Sequence, residues 1–370
     1  MQHPPAEPSG ATFSFADLRR YPDVEAANLF ASDAADRLIL DTAAPALAAS
    51  APGDVVVIGD HYGALTLGAA ALHGARGLRV HQDGLAGERA LANNASRLGL
   101  ADTYVSLDLD AELLEGARVV LLQLPRSLDA LEEVTETIAR FAAADVALYA
   151  GGMVKHLTIA MNDVLGRHFA EVRAGLARQK ARVLTAFSVG PGERSSKPTW
   201  PHREFHADLD LWVCAHGSAF AGTKIDIGTR LLLEVLGQAK PDAASAIDLG
   251  CGTGVIAAAL AKSRAGMTVL ATDQSAGAVA SALATMTANG VADRVAVVRD
   301  DALSARPDAS AELILLNPPF HIGAAVHAGA ALKLFEDAAR VLAPGGELWT
   351  VWNSHLAYTA ALSRLVGPTR

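Results

Sequence analysis

Between residues 246 and 352 short apolar runs alternate with longer stretches of helical periodicity. Ala246–Leu249, Thr268–Thr272, Val295–Arg299 and Leu313–Leu316 read as strands, while Val255–Ser263, Ala276–Asn289 and Ala330–Leu342 read as helices. Pro344-Gly345-Gly346 then turns the chain into a further strand, Glu347–Trp352. Runs that are apolar throughout, rather than alternating with polar residues, mark strands buried on both faces. Strands alternating with helices predict a doubly wound, mostly parallel sheet, with ligands at the carboxyl ends of its strands.

Residues 54–150 repeat this plan in weaker form. Val55–Ile58 leads into Gly59-Asp60-His61-Tyr62-Gly63, followed by a strand at Leu78–His81, a helix at Glu88–Leu98 and an apolar run from Val119 to Leu124. The spacing is similar in the two halves: 66 residues from Val57 to Gln123 and 69 from Asp248 to Asn317. It reads as an internal duplication, the alternative being that any two α/β domains of similar size share such spacing.

Two motifs in the second copy carry chemistry. Asp248-Leu249-Gly250-Cys251-Gly252-Thr253-Gly254 is a strand-to-helix turn in which Gly250, Gly252 and Gly254 let a nucleoside cofactor approach bare backbone. No Lys-Ser/Thr follows it, so it is not a phosphate-binding Walker loop. Its acidic start suits the positive sulfonium and ammonium of S-adenosylmethionine better than a pyrophosphate, and Asp248 is the nearby carboxylate. Asp273, at the next strand end, suits the two ribose hydroxyls. Asp301, beside Asp300 after the third strand, suits the adenine amino group. Asn317-Pro318-Pro319-Phe320 ends the fourth strand. An exocyclic base amine is a poor nucleophile because its lone pair is delocalised. The Asn317 side-chain oxygen and the Pro318 carbonyl can accept its two hydrogens, and Phe320 can stack on the extruded base. His321 is expected to support this set rather than to abstract a proton. In the first copy His61 and Tyr62 replace small residues, and Gln123, Leu124 and Arg126 replace the amide, proline and aromatic, so that copy is expected to be inactive.

Composition narrows the setting. No apolar stretch reaches the roughly 20 residues of a membrane helix, and the amino-terminal residues lack the basic start and apolar run of a signal peptide. Cys214 and Cys251 suffice for neither a disulfide framework nor a zinc cluster. A soluble, cytoplasmic, metal-free protein is expected, and a monomer. The net charge of −9 argues against gripping nucleic acid with the whole surface. Residues 151–206, however, hold nine Lys and Arg against four Asp and Glu, including Arg173, Arg178, Lys180, Arg182, Arg194, Lys197 and Arg203. The segment reads either as a solvated connector or as an RNA-docking surface.

With these residues in place, the chain resembles the bacterial ribosomal RNA guanine methyltransferases that modify the exocyclic 2-amino group. The resemblance rests on Phe220–Arg230, Asp248–Gly254, Asp273, Asn317–Gly323 and the degenerate first half. Tyr149–His156 resembles the family's end to its first domain, and the ensuing stretch through Gln179–Val183 is most similar to the large-subunit branch. It implies an α/β protein of two tandem Rossmann-like methyltransferase domains, the first degenerate and the second active. The expected boundaries are 1–150 for the degenerate domain, 151–206 for the basic connector or end of the first domain, and 207–370 for the catalytic domain. The implied cofactor is S-adenosylmethionine, held by Asp248, Gly250, Gly252, Gly254, Asp273, Asp301 and Asn317. The implied partner is ribosomal RNA or a ribosomal subunit. Other readings of the same residues are methylation of another planar amine (adenine, a tRNA guanine, protein glutamine or a small molecule) and a non-catalytic RNA-binding assembly factor. Phe220–Arg230, just before the cofactor strand, is expected to cap a helix or to close over the donor and target.

Overall fold

The computed structural model describes residues 13–191, 197–318, 324–353 and 356–370, with 324–330 described by their backbone alone. The chain divides into two compact units. One comprises Met1–Gln82, Gly87–Leu124 and Phe141–Pro191; the other comprises Asp83–Ala86, Pro125–Arg140 and Gly192–Arg370. Among the described residues no helix is long and apolar enough to cross a membrane.

In chain order the first half runs α1 (Ala34–Ala49), β1 (Val55–Ile58), α2 (Ala64–His73), β2 (Leu78–His81), α3 (Leu85–Leu98), β3 (Tyr104–Ser106), α4 (Ala111–Leu114), β4 (Val119–Gln123), α5 (Leu128–Phe141), β5 (Ala147–Met153), α6 (Ala160–His168), β6 (Phe169–Ala174) and β7 (Ala181–Val189). Its sheet has the order β3-β2-β1-β4-β5-β7-β6. The first five strands are parallel, and β7 runs antiparallel to both of its neighbours. Every residue of β1 is buried, as its unbroken apolar run requires. Helix α1 starts with a capping box, in which Asp33 accepts from the Ala35 N–H and Asp36 accepts from the Asp33 N–H. Ile39, Leu40 and Leu47 of this helix enter one core with Val55, Val57, Leu65 and Leu67. Each such side chain is worth about 1.5–3 kcal/mol when fully buried.

Residues 169–189 form structure, where a connector had been one of two expectations. Strands β6 and β7 complete the first sheet, and the expected boundary at 150 falls inside β5. The two strands pair because their apolar residues need cover and their backbone groups need partners. Gln179 (φ 49°) and Lys180 (φ 64°) turn the chain between them, closed by reciprocal Arg178–Ala181 hydrogen bonds of 2.9 Å, the pattern of a type I′ turn.

The second unit contains an antiparallel hairpin, β8 (His202–His206) with β9 (Leu211–Ala215), that straddles the expected start at 207. It continues through α7 (Ile227–Val235), β10 (Ser245–Leu249), α8 (Val255–Ser263), β11 (Thr268–Asp273), α9 (Ala276–Ala288), β12 (Val295–Arg299), β13 (Ala311–Leu316), α10 (Ala324–Val341), β14 (Leu342–Thr350) and α11 (Thr359–Leu365). Its five-stranded sheet, β12-β11-β10-β13-β14, is parallel throughout. Taken in chain order, this is the arrangement of β3-β2-β1-β4-β5, the structural counterpart of the spacing repeat. Strand β14 begins before Pro344-Gly345-Gly346 instead of after it. The glycines sit in a register shift opposite Ala311 and Leu313, where a Cβ on Gly346 would stand 2.9 Å from the Ala311 carbonyl oxygen.

Candidate active site

Strand order in the second sheet reverses between β10 and β13, which carry the connections to helices on opposite faces and so leave a crevice at their carboxyl ends. Leu249 pairs with Leu316, so the next residues, Gly250 and Asn317, leave the sheet side by side. The glycine turn and the Asn-Pro segment, far apart in sequence, are thereby brought together.

The turn is held from behind. Gly250 and Cys251 donate their N–H groups to the Thr272 carbonyl at 2.8 and 3.0 Å, and Gly252 N–H donates to Asp273 Oδ2 at 3.0 Å. Gly250, Gly252 and Gly254 all have positive φ, but their surroundings differ. A Cβ on Gly250 or Gly252 would meet nothing within 4 Å, so these two present open backbone. A Cβ on Gly254 would lie 2.7 Å from Met286 Cε and 3.0 Å from Ala282 Cβ, so this glycine is demanded by packing of α8 against α9. Cys251 is buried beside Asp273 and Asp248, and burial with these charges raises its thiol pKa well above the ordinary value. It stays a thiol and takes no nucleophilic part.

The three acidic residues occupy different situations. Asp273 is partly exposed at the end of β11, accepting from Gly252 N–H on one oxygen and Ser275 N–H on the other, each at 3.0 Å. Burial raises its pKa, and those backbone donors oppose the rise. A carboxylate offers about four lone-pair sites, so each oxygen keeps one for a hydroxyl. Asp248 is buried, and its Oδ2 accepts from Ala257 N–H at 2.9 Å in the first turn of α8. It shapes the turn from inside, instead of meeting a ligand as a surface carboxylate would. Asp301 is buried and ion-paired with Lys333 Nζ of α10 at 2.5 Å, so an adenine amino group would have to share it with that ammonium. Neighbouring Asp300 caps its own loop through Asp301 N–H, Ser304 and Ala305 N–H.

Asn317 has the most defined geometry. Its Nδ2 donates to Asp226 Oδ1 (3.1 Å) and Oδ2 (3.2 Å) and to Thr229 Oγ1 (3.0 Å). Its Oδ1 is buried and has no partner among the described residues. Leaving such an acceptor unmet ordinarily costs about 1–3 kcal/mol, and atoms of this kind mark sites where something else supplies the bond. Pro318 is buried directly after it. Phe320 and His321 lie outside the described residues. Asp226 and Thr229 lie in the segment expected to cap a helix or to close over the donor and target; the signal for their part is the Asp-x-x-Thr start of α7, whose partner 91 residues away no local pattern reveals.

The first unit holds a counterpart without the chemistry. Gln123, at the end of β4, donates its side-chain N–H to Asp36 at the start of α1. Tyr62 donates its hydroxyl to Asp23 at 2.5 Å and lies under the Arg20 guanidinium, 4.5 Å from its ring centre. Bulky side chains and their partners thus occupy the turn where the second unit has open glycine backbone.

Two measurements test this account. Burial, reinforced by Asp273 and opposed by the Ala257 N–H, raises the Asp248 pKa from 3.8 to about 7. The unfolded chain therefore loses this proton at lower pH than the folded chain. Rising pH from about 4 to 7 favours unfolding, and above that range the penalty is constant. Asp248→Asn keeps an acceptor for Ala257 and has no proton to lose, so its melting temperature relative to the parent chain should rise between acidic buffer and mild alkali. An unchanged difference would show that the carboxylate is not strained by burial. Gly254→Ala should lower stability by about 1–3 kcal/mol in denaturant titration, through overpacking and its positive φ.

Comparison with known proteins agrees with this architecture. Residues 210–370 match the Methyltransferase small domain and residues 9–189 the RLMG N-terminal domain. A solved T. thermophilus 16S rRNA N2 methyltransferase, in complex with AdoMet and guanosine, has the same fold: TM-score 0.69 at 20% identity, over 93% of this chain and 92% of that one. Curated proteins named ribosomal RNA large subunit methyltransferase G are similar over nearly the whole length. That of Streptomyces avermitilis is 35% identical over 99% of this chain and 95% of its own. That of Pseudomonas paraeruginosa is 37% identical over 95% and 93%. Two tandem domains and full-length likeness at this level place the chain in the ribosomal RNA large subunit methyltransferase G family.

Proposed function

We propose that the protein transfers a methyl group from S-adenosylmethionine to the exocyclic 2-amino nitrogen of a guanine in ribosomal RNA, with the second unit as the catalytic one. The observation that carries this reading is the buried Oδ1 of Asn317, without a partner among the described residues, at a strand end beside an open glycine turn. Membership of the family supports ribosomal RNA as the target and catalysis over a purely structural assembly role.

The residues fit the cofactor. Open backbone at Gly250 and Gly252 leaves room over the turn for its amino-acid end, and Asp273 retains acceptor sites for the two ribose hydroxyls. Asp248 acts through the turn it braces, and Asp301 receives the adenine end alongside Lys333. When bound, S-adenosylmethionine supplies an electrophilic methyl group. Asn317 Oδ1 and the Pro318 carbonyl accept the hydrogens of the target amine, which localises its lone pair. As the amine nitrogen becomes positive, fixed acceptor dipoles stabilise the transition state more than the ground state. Phe320 is the residue assigned to stacking on the extruded base.

Asn317→Ala is therefore expected to slow transfer of labelled methyl groups to rRNA by on the order of a hundredfold or more. Its affinity for S-adenosylmethionine should barely change. Wild-type rate in this variant would sink the mechanism, whereas methyladenosine or methylglutamine made by the parent chain would replace the substrate.

The basic segment bears on RNA docking. Arg173 pairs with Glu171, Arg203 lies 4.1 Å over the Trp212 ring, and Arg182 Nε is buried. Arg194 lies outside the described residues. Arg178 and Lys180, by contrast, are exposed on the turn between β6 and β7. Neutralising both should weaken RNA binding and flatten its salt dependence, because fewer counterions are released from phosphates. Affinity indifferent to both changes would move the docking surface elsewhere.

A further inference from the structure

We propose that Asp226 is the positioning residue that aims Asn317, and that it works through the orientation of one side-chain amide. This rests on the reading of Asn317 as the acceptor for the target amine. A primary amide has two ends of nearly equal size and opposite hydrogen-bonding sense. With the oxygen toward the target amine it accepts; with the nitrogen there, donor would face donor and the target would be repelled. The reaction needs a device that decides between them.

Asp226 and Thr229 form that device. The Asp226 carboxylate presents only acceptors to Asn317, 3.1 and 3.2 Å from Nδ2. Thr229 directs its own hydroxyl hydrogen to Asp226 Oδ2 at 2.6 Å, which leaves a lone pair on Oγ1 facing Nδ2 at 3.0 Å. Three acceptor atoms therefore surround this end of the amide. An oxygen placed there would meet lone pairs on every side, so the nitrogen is forced into the position and Oδ1 is turned away from it. The same bonds polarise the amide and place more negative charge on Oδ1, where the target amine becomes positive.

The aiming group is itself fixed. Asp226 caps α7, accepting on Oδ1 from Gly228 N–H at 2.9 Å and Thr229 N–H at 3.3 Å, at the helix end whose dipole favours an anion. Gly228 keeps the approach clear, since a Cβ there would stand 2.9 Å from Asn317 Oδ1. Cap, hydroxyl and glycine lie within four consecutive positions, so one turn of helix sets the direction of a side chain 91 residues later in the chain.

The test is a double-mutant cycle on the full-length protein, with methyl transfer to rRNA as the readout. Asp226→Asn retains a good helix cap but offers Asn317 an amide that pairs in either sense, so the lock is lost. Its kcat is expected to fall by at least about tenfold. S-adenosylmethionine affinity, RNA affinity and melting temperature should stay near those of the parent chain. The double variant Asp226→Asn, Asn317→Ala should be no slower than Asn317→Ala alone, because Asp226 acts through Asn317. Thr229→Val, which keeps the side-chain shape, should give a smaller loss that also vanishes in the Asn317→Ala background. Wild-type kcat in Asp226→Asn, or losses that multiply with that of Asn317→Ala, would overturn the proposal. If Asn317→Ala alone keeps the parent rate, it is the acceptor reading that fails, and the cycle separates the two outcomes.

Discussion

The in-register parallel pairing of β10 with β13 is the constraint on which the site depends. Because Leu249 lies opposite Leu316, the glycine turn and Asn317 emerge from neighbouring strands, about 5 Å apart across the ladder. A slip of one residue would reverse the facing of every side chain on the strand. It would also turn Asn317 away from Asp226. Ile247, Leu249, Ile314 and Leu316 enter one core on one face, and Leu313 and Leu315 another, so the register is fixed by burial on both sides. The chemistry is aligned by residues that take no part in it.

Much of this could be read from the sequence. The glycine turn was legible because positive φ restricts residue choice so strongly, and Asp273 because a polar residue ending an apolar run stands out. The part of Asp226 was not legible, because a helix cap looks the same whether or not a distant amide also uses it. Asp248 was placed correctly in the chain but not in depth; one carboxylate within an apolar run gives no sign of which way it faces. Strand β6 was hidden by its charges, Glu171 and Arg173, whereas β7 is a mostly apolar run with Arg182 its one charged residue. At the edge of the sheet β6 leaves most of its residues exposed, so it lacks the unbroken apolar run that marks a central strand.

The two units share one kind of bond although their turns differ. Gln123 to Asp36 and Asn317 to Asp226 both join the amide at the end of the fourth strand to a carboxylate at the start of the helix preceding the first strand. In the first unit the longer side chain reaches a buried aspartate whose pKa burial raises to about 7. In the second the carboxylate caps its helix. The bond alone therefore does not make a site; it needs open backbone beside it.

Strand β6 lies at the end of the seven-stranded sheet, where unpaired backbone groups would accept a strand from another molecule. Glu171 and Arg173 are exposed along it, and the turn that follows projects Arg178 and Lys180. A second copy approaching this edge would have to strip water from charges of both signs and bring like charges together. The hairpin therefore also protects the open side of the sheet against aggregation.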